Sequence, residues 1–189
     1  MADRVLFRAG PLSLRHLSEA DAPLLVRWLS DPRVLEFYEG RDRPHDLAMV
    51  REAFFTPPEH PETRCIVHYE GTAIGYLQFY PLPSEERAEY GYSEGEAFFG
   101  MDLFIGEAAC RDRGLGTRLV SATADYLFAA QGASRVVVDP QTWNARAIRC
   151  YEKAGFRRVK LLPKHEWHEG ARRDSWLMER AAGAETHKR

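Results

Sequence analysis

The stretch Arg111-Asp112-Arg113-Gly114-Leu115-Gly116-Thr117 decides how this chain is read. Before it, residues 97–105 form a mostly apolar run that reads as a buried strand. After it, residues 114–130 place Leu115, Leu119, Ala122, Thr123, Tyr126, Leu127 and Ala130 on one helical face, with Gly132 as the stop beyond. A glycine turn from strand into helix lets backbone approach a ligand closely, and the first helical turn leaves N–H groups unpaired. Such a turn can grip a pyrophosphate, with Arg111, Arg113 and Arg118 adding positive charge nearby. Taken alone, Gly-x-Gly before a helix is also an ordinary tight turn. It is not a Walker loop, because no Gly-Lys-Ser/Thr follows. The third glycine of the dinucleotide fingerprint is missing too.

Working outward, residues 135–139 read as a short β-branched strand, and residues 144–154 as a helix closed by Gly155. In Asn144-Ala145-Arg146-Ala147-Ile148-Arg149-Cys150-Tyr151-Glu152-Lys153-Ala154-Gly155-Phe156, Asn144 and Tyr151 are seven apart and share one face. By itself this is an N-capped helix with a glycine stop. Upstream, residues 12–17 read as a strand and Ser18-Glu19-Ala20-Asp21 as a capped helix start. Leu24, Leu25, Trp28 and Leu29 give that helix an apolar stripe, and Asp31-Pro32 ends it. A loop or short helix over 34–43 and a helix over 46–55 follow. Strands at 64–69 and 72–80 are joined by Glu70-Gly71 as a hairpin turn. Residues 81–95 read as a turn-rich acidic connection, and two last strands fall near 156–162 and 175–180. Alternating strands and helices predict a layered α/β (α+β) domain.

The chain has 189 residues, enough for one domain with a real core, expected over 1–181 with a frayed tail at 182–189. A net charge of −2 offers no basic footprint for nucleic acid or a membrane surface. No apolar run nears the roughly 20 residues that span a bilayer. Cys65, Cys110 and Cys150 make neither a disulfide framework nor a metal pattern, so a reducing cytoplasm is expected. His165 and His168 are three apart, not the four-apart spacing of a helical zinc pair; a hairpin or loop position and no metal are expected.

Together, Arg-x-x-Gly-x-Gly followed by Asn-x-x-Ala-x-x-x-Tyr-x-x-x-Gly-Phe resembles the GNAT acetyltransferases. The resemblance implies a central mixed, mostly antiparallel twisted sheet flanked by helices. A V-shaped split is expected between the strand holding Asp102 and the strand ending at Asp139. It implies acetyl-CoA as cosubstrate. Its phosphates would lie on Arg111, Arg113, Gly114, Leu115, Gly116 and Thr117. Its pantetheine arm would lie along Asn144 and Ala147, and its thioester against the backbone of Leu103, Phe104 and Ile105. Tyr151 would protonate the departing thiolate.

Further segments are similar to aminoglycoside 6′-N-acetyltransferases, above all to the acetyltransferase half of the bifunctional acetyltransferase–phosphotransferase enzymes. These are residues 35–42 (LEFYEGRD), 100–106 (GMDLFIG), Asp139-Pro140, 146–149 (RAIR) and 163–170 (PKHEWHEG). That likeness spans roughly residues 12–179 and implies a polycationic aminoglycoside as acceptor. Asp102 is a charged residue in an apolar run, which is costly unless paired. Read alone, it is equally a paired structural Asp; the resemblance makes it the base. Tyr38, Glu39, Glu96, Phe99 and Asp139, with Asp102, would contact the acceptor. The acidic groups Glu85, Glu86, Glu89, Glu94, Glu96 and Glu36, Glu39, Asp42 suit a polycation, although charge runs are usually solvated faces. Phe99 and Leu103 replace the Tyr and Gln common in those relatives. Direct transfer by a monomer or weak homodimer is expected. The alternatives are another small polyamine or amino-sugar acceptor, or a non-catalytic acyl-CoA-binding sensor.

Overall fold

The computed structural model describes residues 5–93 and 95–183. Glu94 and the tail from 184 onward lie outside the described residues. The strands are β1 (Val5–Ala9), β2 (Leu12–His16), β3 (Thr63–Tyr69), β4 (Thr72–Pro81), β5 (Phe98–Ile105), β6 (Arg135–Val138), β7 (Arg157–His168) and β8 (Ala171–Ala181). They form one sheet in the order β1-β2-β3-β4-β5-β6-β8-β7. The helices are α1 (Ala22–Trp28), α2 (Pro32–Leu35), α3 (Leu47–Phe55), α4 (Ser84–Tyr90), α5 (Leu115–Ala130) and α6 (Ala145–Lys153).

Neighbouring strands run antiparallel except β5 and β6. Those two are parallel because α5 is the crossover between them. Their ladder holds only Phe98↔Arg135, Phe99↔Val136 and Gly100↔Val137. From Met101 onward β5 has no β6 partner while its β4 ladder continues to Ile105. This is the split expected between the Asp102 strand and the strand ending at Asp139. Continuing the register places Asp102 level with Asp139 across it.

Alternation along β5 assigns its two faces. Phe99, Met101, Leu103 and Ile105 pack in the cluster containing Leu115, Leu119 and Leu127 of α5 and Ile148 of α6. On the opposite face, Phe104 packs with Trp28 of α1, Val50 of α3 and Tyr76 of β4. Helices therefore cover the sheet on both sides. A buried Arg15–Asp21 pair, with two contacts at 2.7 Å, ties β2 to the turn before α1. There the Asp21 carboxylate also accepts from the Ser18 backbone N–H. Among the described residues, no helix is long and apolar enough to cross a membrane.

Several sequence expectations need correction. Residues 81–95 are not simply turns, because Ser84–Tyr90 is helical and closed by Gly91. A strand, β1, precedes the expected first strand and pairs with it. The buried stripe of α5 includes Val120 and Ala124, whereas Ala122 and Tyr126 are half-buried and Ala130 is exposed. Asp31 does not just end α1; its carboxylate accepts from the Arg33 N–H and caps α2. The last two strands are longer than expected and form a hairpin that carries His165 and His168 on β7.

Candidate active site

The split opens into a cleft of about 930 Å³ at the carboxyl ends of β5 and β6. That is where a sheet whose crossover reverses direction leaves a crevice. Asp102 lines it from β5, and Gln78 of β4, directly opposite in register, donates to Asp102 Oδ2 at 2.9 Å. Burial, and then the nearby Asp139 and Glu86 carboxylates, push the Asp102 carboxyl up to about 7, against the pull of hydrogen bonds from Gln78 and Tyr80. A carboxylate poised near neutral pH suits proton abstraction. Tyr151 of α6 also lines the cleft, and burial pushes its phenol well above the usual range. It therefore stays protonated, as a proton donor must.

The two ends of the cleft differ in charge. At one end the turn 111–114 enters α5, with Gly114 at φ 74° and Asp112 at φ 56°. Gly114 suits this left-handed cap because it has no Cβ to clash. Gly116 allows α6 to approach, since a Cβ there would meet Cys150 Sγ at 3.3 Å. The Thr117 hydroxyl donates to the same sulfur at 3.5 Å, and burial raises the Cys150 thiol. Around this turn α6 presents Arg146, Arg149 and Lys153 to the cleft. Asn144 caps α6, its Oδ1 accepting from Ala147 N–H at 3.1 Å, and both residues line the wall.

The other end is acidic. Asp102, Asp139, Glu86 and Glu166 line it. His165 Nε2 lies 3.0 Å from Asp139 Oδ2, and its Nδ1 lies 3.0 Å from Glu89 Oε1. The Tyr90 phenol donates to Asp139 Oδ2 at 3.4 Å. Gln141 Nε2 donates to Glu166 Oε2 at 2.9 Å. Burial raises the Glu86 and Glu166 carboxyls, so each holds its charge less firmly than a surface acid.

A strap of residues 36–43 crosses the mouth. Arg41 pairs with Glu169 of the β7–β8 hairpin at 2.6 and 2.8 Å. Phe37 packs on Trp143 with ring centroids 4.8 Å apart, and Tyr38 packs on Phe104 at the same distance. Tyr38, Glu39 and Asp42 all line the cleft.

Most of the residues singled out in the sequence therefore meet in one place. Asp102, Leu103, Phe104, Ile105, Arg111, Gly114, Gly116, Thr117, Asp139, Asn144, Ala147, Tyr151, Tyr38 and Glu39 all line the cleft. Four sit elsewhere. Phe99 points to the face of β5 opposite Asp102, because the two are three positions apart and side chains alternate. Glu96 precedes β5, about 20 Å of extended chain from Asp102, and pairs with Arg135 at 3.3 Å. Arg113 lies over the Tyr69 ring at 5.6 Å. Leu115 is a core side chain that can offer only backbone. Arg111 lines the cleft, yet it donates to the Ile105 and Gly106 carbonyls at 3.0 and 3.1 Å. Its main visible work is to hold the end of β5 against the turn.

Other cleft residues escaped sequence reasoning. Gln78 was findable as an amide inside the otherwise apolar strand Thr72–Pro81. Arg146, Arg149 and Lys153 were findable from their helical spacing around Cys150. His165 gave no sequence signal for its carboxylate partners, which are contributed by α4 and the end of β6.

Residues 18–163 match the family described as acetyltransferase (GNAT) domain. The aminoglycoside N(6′)-acetyltransferase type 1 of Klebsiella pneumoniae is 32% identical over 149 residues, covering 78% of this chain and 74% of that protein. The crystal structure of aminoglycoside acetyltransferase AAC(6′)-Ib with coenzyme A and kanamycin superposes with TM-score 0.73 at 29% identity, covering 92% of this chain and 96% of that one. Spermidine N-acetyltransferase of Vibrio cholerae with CoA and spermine shares the fold, at TM-score 0.74 and 16% identity over 93% and 98% of the two chains. With a split parallel pair, a glycine turn at the α5 N-terminus and a family match over most of its length, this chain belongs to the GNAT acetyltransferases.

Proposed function

We propose that this chain transfers the acetyl group of acetyl-CoA to the 6′-amine of aminoglycosides, by direct attack within a ternary complex. The observation that carries the reading is Asp102, a cleft carboxylate beside Gln78, Asp139 and Glu86 that is held near neutral pKa. The relatives named above supply the substrate class. In this reading the α5 N-terminus, from Gly114 to Thr117, takes the pyrophosphate on its free N–H groups. Arg146, Arg149 and Lys153 balance its charge, and Asn144 and Ala147 border the pantetheine arm. Alternate backbone groups of Met101–Ile105 face the split without a β6 partner. They pair with the arm and polarise the thioester carbonyl.

The acceptor lies at the acidic end, between Tyr38, Glu39 and Asp139. Asp102 receives its ammonium and takes one proton. The free amine attacks the thioester carbonyl, and a C–N bond forms as the carbonyl oxygen gains charge. The tetrahedral intermediate gives up the second amine proton to water and collapses to the amide, the C–S bond breaks, and Tyr151 gives the thiolate its proton. Water and neighbouring groups return a proton to Tyr151 and remove the one on Asp102.

The test mixes pure protein with acetyl-CoA and kanamycin or tobramycin and follows free thiol. Turnover that yields the 6′-N-acetyl product is expected. No turnover with any aminoglycoside bearing a 6′-amine overturns the reading.

A further inference from the structure

His165 stands where three elements meet, and both of its ring nitrogens face carboxylate oxygens. Nε2 is 3.0 Å from Asp139 Oδ2 at the end of β6, and Nδ1 is 3.0 Å from Glu89 Oε1 on α4. A neutral imidazole has one N–H and would aim a lone pair at one of these anions; only the imidazolium satisfies both. The His165 side chain is 15% exposed, against 34% for Asp139 and 54% for Glu89, so the contact to Asp139 is the better shielded of the two. The Tyr90 phenol shares Asp139 Oδ2, and its ring lies 5.9 Å from the imidazole. Glu86 and Glu166 lie close enough to feel His165 electrostatically. Arg172 reaches only its backbone carbonyl, at 3.0 Å. These partners push the imidazole up to about 9.

We propose that His165 is a built-in counter-ion that sets how strongly the site prefers acceptors carrying more than one ammonium. The inference rests on the reading that the acidic end holds the acceptor. Asp102 receives the reacting amine. A second ammonium drawn to Asp139 meets a carboxylate already paired with an imidazolium, and must share it. His165 thus attenuates one cationic subsite of the cleft and leaves the reacting one untouched. It is a specificity-determining residue, not a catalytic one.

The test compares two acceptors, kanamycin and the single-amine sugar 6-amino-6-deoxyglucose, in the unaltered protein and in His165→Gln and His165→Lys. Loss of the charge in H165Q is expected to lower KM for kanamycin about 3–10-fold relative to the single-amine sugar. KM for acetyl-CoA stays put. H165K keeps the charge without the ring and is expected to keep the unaltered preference within about twofold. If H165Q raises KM for both acceptors alike, or H165K behaves as H165Q, the ring only braces the hairpin and the proposal falls. Should H165Q melt out of the folded state, Glu89→Gln on the exposed surface of α4 serves instead. It frees the imidazolium charge toward Asp139, and the preference for kanamycin is expected to drop about 2–3-fold; an unchanged preference overturns the proposal. Absence of any turnover by the unaltered protein sinks the acceptor reading itself. Turnover with an unshifted preference sinks only the role of His165.

Discussion

Asp102 is asked to be a base in a place that resists its charge. Its carboxyl is raised to about 7 by burial first and by Asp139 next, and it works only when deprotonated. The acid limb of kcat/KM is therefore expected to rise with pH through about 7, read from initial rates across a buffer series. A limb near the ordinary carboxylate value would show that another group is the base. Asp102→Asn is expected to cost about 10²–10⁴ in kcat, while acetyl-CoA binding by calorimetry stays near that of the unaltered protein. The same shift bears on stability. A carboxyl whose folded pKa exceeds its unfolded value favours the fold when protonated, and that benefit fades as pH rises from about 4 through about 7. Asp102→Asn is thus expected to melt higher than the unaltered protein at pH 8, by order 1–2 kcal/mol, and the gap is expected to close toward pH 4. Asp102 was legible in the sequence as a charge inside an apolar run. Its hydrogen-bond partner Gln78 was less so, because the pair depends on the β4–β5 register and not on local pattern.

At the scale of elements, β5 carries the site because one of its faces has been kept thin. Gly100 shares the Asp102 face, and a Cβ there would meet Tyr80 at 2.5 Å from Cε2 and 2.9 Å from the phenol oxygen. The Tyr80 ring lies across the strand only because that position is bare. Gly100→Ala is expected to displace the ring, cost about 1–3 kcal/mol by overpacking, and shift the acid limb of the rate profile. Chemical denaturation and the pH series check it together; a variant as stable as the unaltered protein, with the same profile, would show that Tyr80 is not fixed by this contact. The strands and long helices were legible because their periods run over many residues. The helix α4 was not: its seven residues sit between Pro81 and Gly91 in a stretch rich in turn formers and charge. Tertiary contacts hold it, including the Lys160 ammonium on the Glu89 carbonyl at 2.7 Å and the burial of Tyr90. Phe99 is a different case: the resemblance singled it out as the residue before Gly100-Met101-Asp102, and alternation along the strand turns it to the face opposite Asp102.

Across the whole molecule the net charge is only −2, yet the cleft separates opposite charges along its length. Arg149 and Lys153 flank Cys150, which meets Gly116 and Thr117 of α5, Arg146 lies over the Phe37 ring of the strap at 5.8 Å, and Glu86 and Glu166 lie close enough to Asp139 to feel its charge. Two substrates of opposite charge can then be drawn to opposite ends of one crevice, each steered by its own local field. Such fields fade with salt, since the screening length falls from about 20 Å to about 7 Å between about 20 and about 200 mM salt. KM is expected to climb several-fold for both acetyl-CoA and the aminoglycoside over that range. The two dependences should also be separable. Lys153→Ala is expected to raise KM for acetyl-CoA and flatten its salt dependence while leaving the acceptor's slope alone. Glu166→Gln, which retains a carbonyl oxygen to accept from Gln141, is expected to do the reverse. Steady-state kinetics for both substrates at four or so salt concentrations decide the matter. If either variant flattened both slopes, the cleft would act as one undivided field, and the assignment of its two ends to two substrates would have to be given up.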